Sequence, residues 1–275
     1  MDPAVVSAAN YRRKLLSGMR YGLRSQLATL SPYISFATAG RHRDEVVRPD
    51  TAVVIDGFPR CANTFAAIAF QAAQPRPVKI AHHLHAAAHL IRGTRLGIPT
   101  VLLVREPVDT VLSETIRSYP VPLLQVLSAY CLFYETVVQY IDRIVVAEFL
   151  TVTSDFGSVI QKINTRFGTN FALFDHTPEK TQLVFGLIEE REKRPAVKVI
   201  DEYLAGHKNL DEVRSAFHDL DRRMVPSMLH ENLVPRPSAA RFSAKARLRS
   251  ELQEPQFTPL LERARSVYRA VASRR

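Results

Sequence analysis

The chain is expected to fold as an α/β protein: three layers, with a mostly parallel central sheet and helices on both faces. Three observations predict this. Between residues 51 and 149, four short runs rich in Val, Ile, Leu or Ala alternate with stretches of helical period. The runs are nearly continuous in apolar residues, as in strands covered on both faces by crossover helices. At 53–65, Val-Val-Ile-Asp-Gly-Phe-Pro-Arg-Cys-Ala-Asn-Thr-Phe has the strand, turn and helix layout of a phosphate-binding loop.

Taken in order, residues 11–30 form a weak amphipathic helix, basic and punctuated by Gly18 and Gly22. It is read as packing on its own domain, with peripheral contact to a membrane surface as the alternative. Residues 38–50 are a polar connector. Thr51–Asp56 is a strand, Asn63–Ala73 a helix, Val78–Ala81 a short strand and Leu84–Arg92 a helix. Thr100–Arg105 is a strand, and Val108–Arg117 a helix opened by Pro107. A long apolar helix spans Val121–Asp142, and Arg143–Phe149 is the fourth strand. Ser154–Phe167 is a helix with Ser154 or Asp155 as its cap. Beyond residue 175 the chain is helical and charged. One domain over 1–275 follows: an N-terminal helical extension (1–48), a core (50–170) and a helical C-terminal region (175–275).

At 46% hydrophobic and 23% charged residues the composition is that of a globular protein. Two cysteines suggest no disulfide framework and a reducing compartment. No run of about 20 apolar residues is present and the N-terminal segment lacks a secretory pattern, so the expected location is the cytoplasm. The net charge of +10, mostly arginine, points to a phosphate-bearing partner: nucleic acid, a small polyanionic cofactor or an anionic membrane.

The loop after Gly57 lacks the second glycine and the Lys-Ser/Thr pair of the nucleoside-triphosphate version; its basic residue comes early, at Arg60, and a hydroxyl follows at Thr64. A second segment, Arg105-Glu106-Pro107-Val108-Asp109-Thr110-Val111-Leu112-Ser113, sets an arginine at a strand's carboxyl edge and a serine two turns into the next helix. Both can reach one phosphate over that edge.

Together these segments closely resemble the sulfotransferase family, of the bacterial type. Phe58-Pro59-Arg60-Cys61-Ala62-Asn63-Thr64-Phe65 is similar to the family's phosphosulfate loop. Arg105, Pro107, Asp109 and Ser113 match its 3′-phosphate motif, and residues 143–150 resemble the strand that usually ends Tyr-Glu-Asp-Leu. The resemblance covers about residues 50–170, with a weaker echo at 237–241. Cys61 and Ala62 stand where Ser-Gly is usual; Ala147 and Phe149 interrupt the Tyr-Glu-Asp signature. The resemblance implies 3′-phosphoadenosine 5′-phosphosulfate as co-substrate, no metal requirement and no nucleic acid partner. It also implies an in-line transfer to a hydroxyl of a small molecule, glycan or lipid. Arg60 would stabilise the leaving oxygen. Residues 60–65, with the Thr64 hydroxyl, would hold the 5′-phosphate, while Arg105, Ser113 and the tail residue Arg241 would hold the 3′-phosphate side.

His82, His83, His85 and His89 cluster between the two motifs. The family's base is a histidine followed by leucine, which His83-Leu84 fits best, with His82 as competitor. His85 and His89, read as i, i+4 on one helix, raise the alternative of a metal site. Asp109 is expected to cap or brace its helix, and Glu148 to be structural. Cys61 is read as a packing thiol, with a reactive thiol lowered by the helix end as the alternative. The acceptor pocket is expected from residues 119–135 and the region after 175; homo-oligomerisation is left open. A P-loop-type kinase and a non-catalytic nucleotide-, nucleic-acid- or membrane-binding protein remain the alternative functions, as does a relative that binds nucleotide without turnover.

Overall fold

A computed structural model describes residues 3–40, 43–192, 199, 202–204, 206–210, 212–213, 216 and 239–274. Two N-terminal helices, α1 (Pro3–Leu27) and α2 (Pro32–Ala39), precede the sheet. The core runs β1 (Val53–Gly57), α3 (Asn63–Ala73), β2 (Ile80–His82), α4 (Ala87–Arg95), β3 (Thr100–Val104), α5 (Pro107–Arg117), α6 (Leu123–Val138) and β4 (Val145–Glu148). Then come α7 (Phe149–Ser154), α8 (Phe156–Phe167), α9 (Pro178–Glu192), α10 (Ala239–Glu251) and α11 (Thr258–Ala272).

The four described strands are parallel and lie in the order β2-β1-β3-β4. Every residue of β1, β2 and β3 is buried, which explains why their sequences are mostly apolar rather than alternating, with Asp56, His82 and Thr100 as the polar exceptions. One face is covered by α3, α7, α8 and α9, the other by α4, α5, α6 and α11. The expected three-layer α/β architecture is therefore what the chain adopts. From β1 the chain steps outward to β2, then returns to the other side of β1 for β3. That reversal opens a crevice at the carboxyl ends of β1 and β3, where ligands of open α/β sheets bind. Gly57 ends β1 at this point because a Cβ there would lie 2.4 Å from the Leu103 carbonyl oxygen of β3.

Most element boundaries agree with the sequence reading within two or three residues; the exceptions have local causes. The helix expected over 11–30 is one rod from Pro3 to Leu27, and its glycines are contact points: a Cβ on Gly18 would meet Pro122 Cδ at 3.0 Å. The expected polar connector is only partly so. Val46 and Val47 are buried, and the Glu45 carbonyl accepts from His82 N–H at 3.0 Å. The helix expected from Leu84 starts at Ala87, since His83 and His85 take left-handed φ values of 57° and 52° that no helix accommodates. The helix from Val121 stops at Val138, followed by a 3₁₀ turn at Ile141–Arg143. Residues Phe149–Ser154 form a short helix absent from the sequence reading, and Asp155 caps α8 by accepting from Ser158 N–H at 3.3 Å. Both cysteines are free and buried.

Candidate active site at the ends of β1 and β3

The turn between β1 and α3 is held from within. Asn63 Nδ2 donates to the Phe58 carbonyl across the loop at 3.0 Å, and Arg105 Nη1 donates to the Arg60 carbonyl at 3.3 Å. Arg60 and Ala62 both sit at positive φ, 71° and 66°. For Ala62, the residue that precedes α3, this left-handed geometry costs about 1 kcal/mol, because its Cβ crowds the following carbonyl. The backbone thus keeps the turn that glycine would make without strain. Ala62→Gly is expected to leave the fold intact and raise stability by roughly 0.5–1 kcal/mol in denaturant titration.

Cys61 points the other way, into the core. Its Sγ lies 3.3 Å from the Tyr134 hydroxyl, whose own proton goes to the Leu103 carbonyl at 2.9 Å, so the thiol donates. Burial pushes its pKa up to about 11, against the lowering effects of the Tyr134 hydrogen bond and of Arg105. A packing thiol is therefore what the environment enforces, and Cys61 can serve an anion only through its backbone. Phe65 is likewise turned inward, among Phe174, His176 and Phe185.

The remaining predicted residues converge. Arg60 Nε donates to Ser113 Oγ at 3.0 Å, joining the two motifs across 53 residues. Arg105 lies at the end of β3 with its guanidinium carbon 4.0 Å above the Phe149 ring, while Tyr130 hydroxyl donates to its carbonyl at 2.8 Å. Thr64 Oγ1 lies 2.8 Å from His83 Nε2. His83 Nδ1 in turn lies 2.5 Å from His82 Nδ1, a contact that needs one proton between two nitrogens. His82 is buried behind His83, so of the two competing histidines His83 is the one beside the loop.

Beneath this cluster lies a residue that sequence reasoning missed. Asp56, fully buried in β1, accepts from Gly57 N–H at 2.9 Å and His85 N–H at 3.0 Å. His89 Nδ1 lies 2.8 Å from it, and His85 Nδ1 lies 3.4 Å from its other oxygen. Val47 N–H donates to His89 Nε2 at 3.0 Å, so that nitrogen carries no proton and His89 Nδ1–H donates to Asp56. His85 Nδ1 also meets the Gly57 carbonyl at 2.8 Å and must donate there. Burial raises the Asp56 pKa, but hydrogen bonds from His85 and His89 outweigh it and hold the carboxyl well below the usual range. His85 precedes α4 and is not on one helix with His89; the pair is organised by a carboxylate. With both His89 nitrogens engaged, the i, i+4 metal pair has no free ligand on that ring. The available signal was an acid inside an otherwise β-branched apolar strand.

Further corrections concern the helix after Pro107 and the expected acceptor region. Glu106, not Asp109, caps α5, its carboxylate accepting from Asp109 N–H at 2.9 Å. Asp109 instead gathers cations: Arg105 at 3.8 Å, Lys245 at 3.6 Å and Arg249 at 3.4 Å. Two residues of the basic tail are thus docked beside the first turn of α5. The Arg241 side chain lies outside the described residues. Glu148 accepts from the Tyr268 hydroxyl at 2.9 Å and braces α11. Of residues 119–135, expected to contribute an acceptor pocket, those from 123 on belong to the core helix α6, with Tyr130, Cys131 and Tyr134 fully buried.

Comparison with known proteins adds one likeness. No family model and no curated protein matches the chain. Among solved structures it is similar to mouse sulfotransferase SULT7A1 complexed with PAP. The TM-score is 0.38 and the identity 13%, over 81% of this chain and 91% of that one. A likeness of that size assigns no function. The site's own chemistry has to carry the reading.

Proposed function

We propose that this chain is a sulfotransferase, moving a sulfuryl group from 3′-phosphoadenosine 5′-phosphosulfate to a hydroxyl of a small molecule, glycan or lipid. The observation that carries the reading is the joining of the two motifs at the head of α3. Arg60 meets Ser113 at 3.0 Å, Arg105 meets the Arg60 carbonyl at 3.3 Å, and Thr64 meets His83 at 2.8 Å. Two guanidinium groups, two hydroxyls and the unpaired N–H groups of a helix N-terminus form a donor-rich set suited to a nucleotide with two separate phosphates.

In this reading the first N–H groups of α3 and the Thr64 hydroxyl hold the 5′-phosphate, and Arg105 with Ser113 holds the 3′-phosphate. When bound, the nucleotide supplies the sulfuryl group and leaves as adenosine 3′,5′-bisphosphate. Arg60, preorganised by Ser113, faces the oxygen on which negative charge builds; such a cation acts most strongly where water is excluded. The Thr64 hydroxyl turns its single proton to the 5′-phosphate and away from His83 Nε2, which frees that nitrogen to take the acceptor's proton. With the shared proton on His83 Nδ1, His82 Nδ1 accepts from the imidazolium that forms and holds the ring's orientation. No resident metal is assigned a part.

Calorimetry with adenosine 3′,5′-bisphosphate in the absence of Mg²⁺ tests the reading. The parent is expected to bind, and Ser113→Ala to bind roughly 10- to 100-fold more weakly, through loss of a hydrogen bond to a charged group. Absence of binding by the parent, or equal affinity for ATP, would remove the sulfotransferase assignment.

A further inference from the structure

Helix α1 has two unlike long faces. Toward the domain it presents small or hydrogen-bonded residues: Gly18 against Pro122, Gly22 against Gln125, and Tyr21, whose hydroxyl lies 3.3 Å from Glu114 Oε1. Away from the domain, Leu15, Leu16, Met19, Leu23 and Leu27 are all exposed, Met19 at 62% and Leu23 at 59%. At 100° per residue these five fall within a sector of about 120°, running some 18 Å along the rod. Arg13, Arg20 and Arg24 follow within the next 60° or so of the same projection. From residue 3 to residue 43 the sequence carries seven Lys or Arg and no Asp or Glu.

A contiguous stripe of leucine and methionine left in water needs a covering surface. A second copy packed antiparallel on this face would lay its own basic edge alongside the first, so like charges would meet. We propose that this face of α1 docks on an anionic lipid bilayer, lying in the headgroup plane with the leucine stripe inward and the arginines toward lipid phosphates. Both halves of the pattern, an apolar stripe and a cationic border without acids, are what an interfacial helix requires. No helix among the described residues is long and apolar enough to cross a membrane, so the contact is peripheral. The close Gly18 contact fixes α1 to α6, and the whole domain is therefore carried by the helix.

The test is flotation of the full chain with vesicles of phosphatidylcholine alone or of phosphatidylcholine with about one quarter phosphatidylglycerol. Binding is expected only to the anionic vesicles, weakening as salt rises. Leu16→Glu/Leu23→Glu and, separately, Arg13→Gln/Arg20→Gln/Arg24→Gln should each weaken it by roughly 100-fold, with unchanged thermal melts because all five positions are exposed. Three results would overturn the proposal. The parent could fail to float with anionic vesicles. The leucine variant could bind them as the parent does. Light scattering could show a dimer that the leucine variant breaks, which would assign the stripe to a second copy.

Discussion

Arg60→Ala is expected to lower sulfuryl transfer roughly 100- to 1000-fold, measured with a labelled donor and whichever hydroxyl compound the parent turns over. The magnitude is that of removing one preorganised group facing the oxygen where charge develops. Arg60 is held for this role from two sides, its Nε donating to Ser113 Oγ and its carbonyl accepting from Arg105. His83→Ala should cost a comparable factor, about 100- to 10,000-fold for a lost general base, with little change in bisphosphate affinity. Near-parental activity in His83→Ala, combined with loss in His82→Ala, would move the base to His82. Parental rates in Arg60→Ala would separate the loop from the chemistry altogether.

Asp56→Ala should produce a large stability change, at least about 3 kcal/mol in denaturant unfolding, because it strands several donors in a dry interior at once. Gly57 N–H, His85 N–H and His89 Nδ1–H all donate to this carboxylate. Asp56→Asn keeps the shape but loses the charge, and presents an amide N–H₂ to groups that are themselves donors; an intermediate loss is expected. The pH dependence has a definite sign. The folded state keeps Asp56 ionised at pH values where the unfolded chain protonates an ordinary Asp, near 3.9. Its contribution is therefore complete above about pH 4 and is lost as pH falls toward the lower folded value. Asp56→Asn should flatten that part of the acid unfolding curve. The site should respond too, since Asp56 anchors the loop in which His83 and His85 sit at positive φ. If Asp56→Ala unfolds at the parental midpoint, the network contributes nothing to the fold.

How much of the site was legible depends on the range over which each signal acts. The turn and α3 were readable because strand, turn and helix are contiguous: α3 spans the expected Asn63–Ala73. Arg105 and Ser113 were readable for the same reason, since β3, Pro107 and α5 follow one another. That Arg60 falls at the same sheet edge followed from the parallel-strand reading, and its hydrogen bond to Ser113 follows from the adjacency of β1 and β3. Asp109 shows the opposite case. A helix-start acid looks like a cap, yet Glu106 takes that role and frees Asp109 for Lys245 and Arg249, the latter 140 residues away. The stretch 119–135, expected at an acceptor pocket, was illegible for another reason. Leu, Val, Tyr and Phe at helical period are the same whether they line a pocket or fill a core.

By itself the sequence determined the α/β class, the strand, turn and helix layout at 53–65, the strand-edge Arg105 with Ser113 two turns into the next helix, and the basic, leucine-bearing first helix. These rest on period, turn chemistry and composition, which act over a few residues. Only the tertiary structure decided which side of each feature faces what. It sent Cys61 and Phe65 into the core, set His83 rather than His82 beside Thr64, and turned the histidine pair into partners of a buried carboxylate. It also packed the glycine face of α1 against α6, leaving the leucines outside. Those outcomes depend on which strands adjoin and which faces they bury, a property of the packed sheet that no local pattern contains.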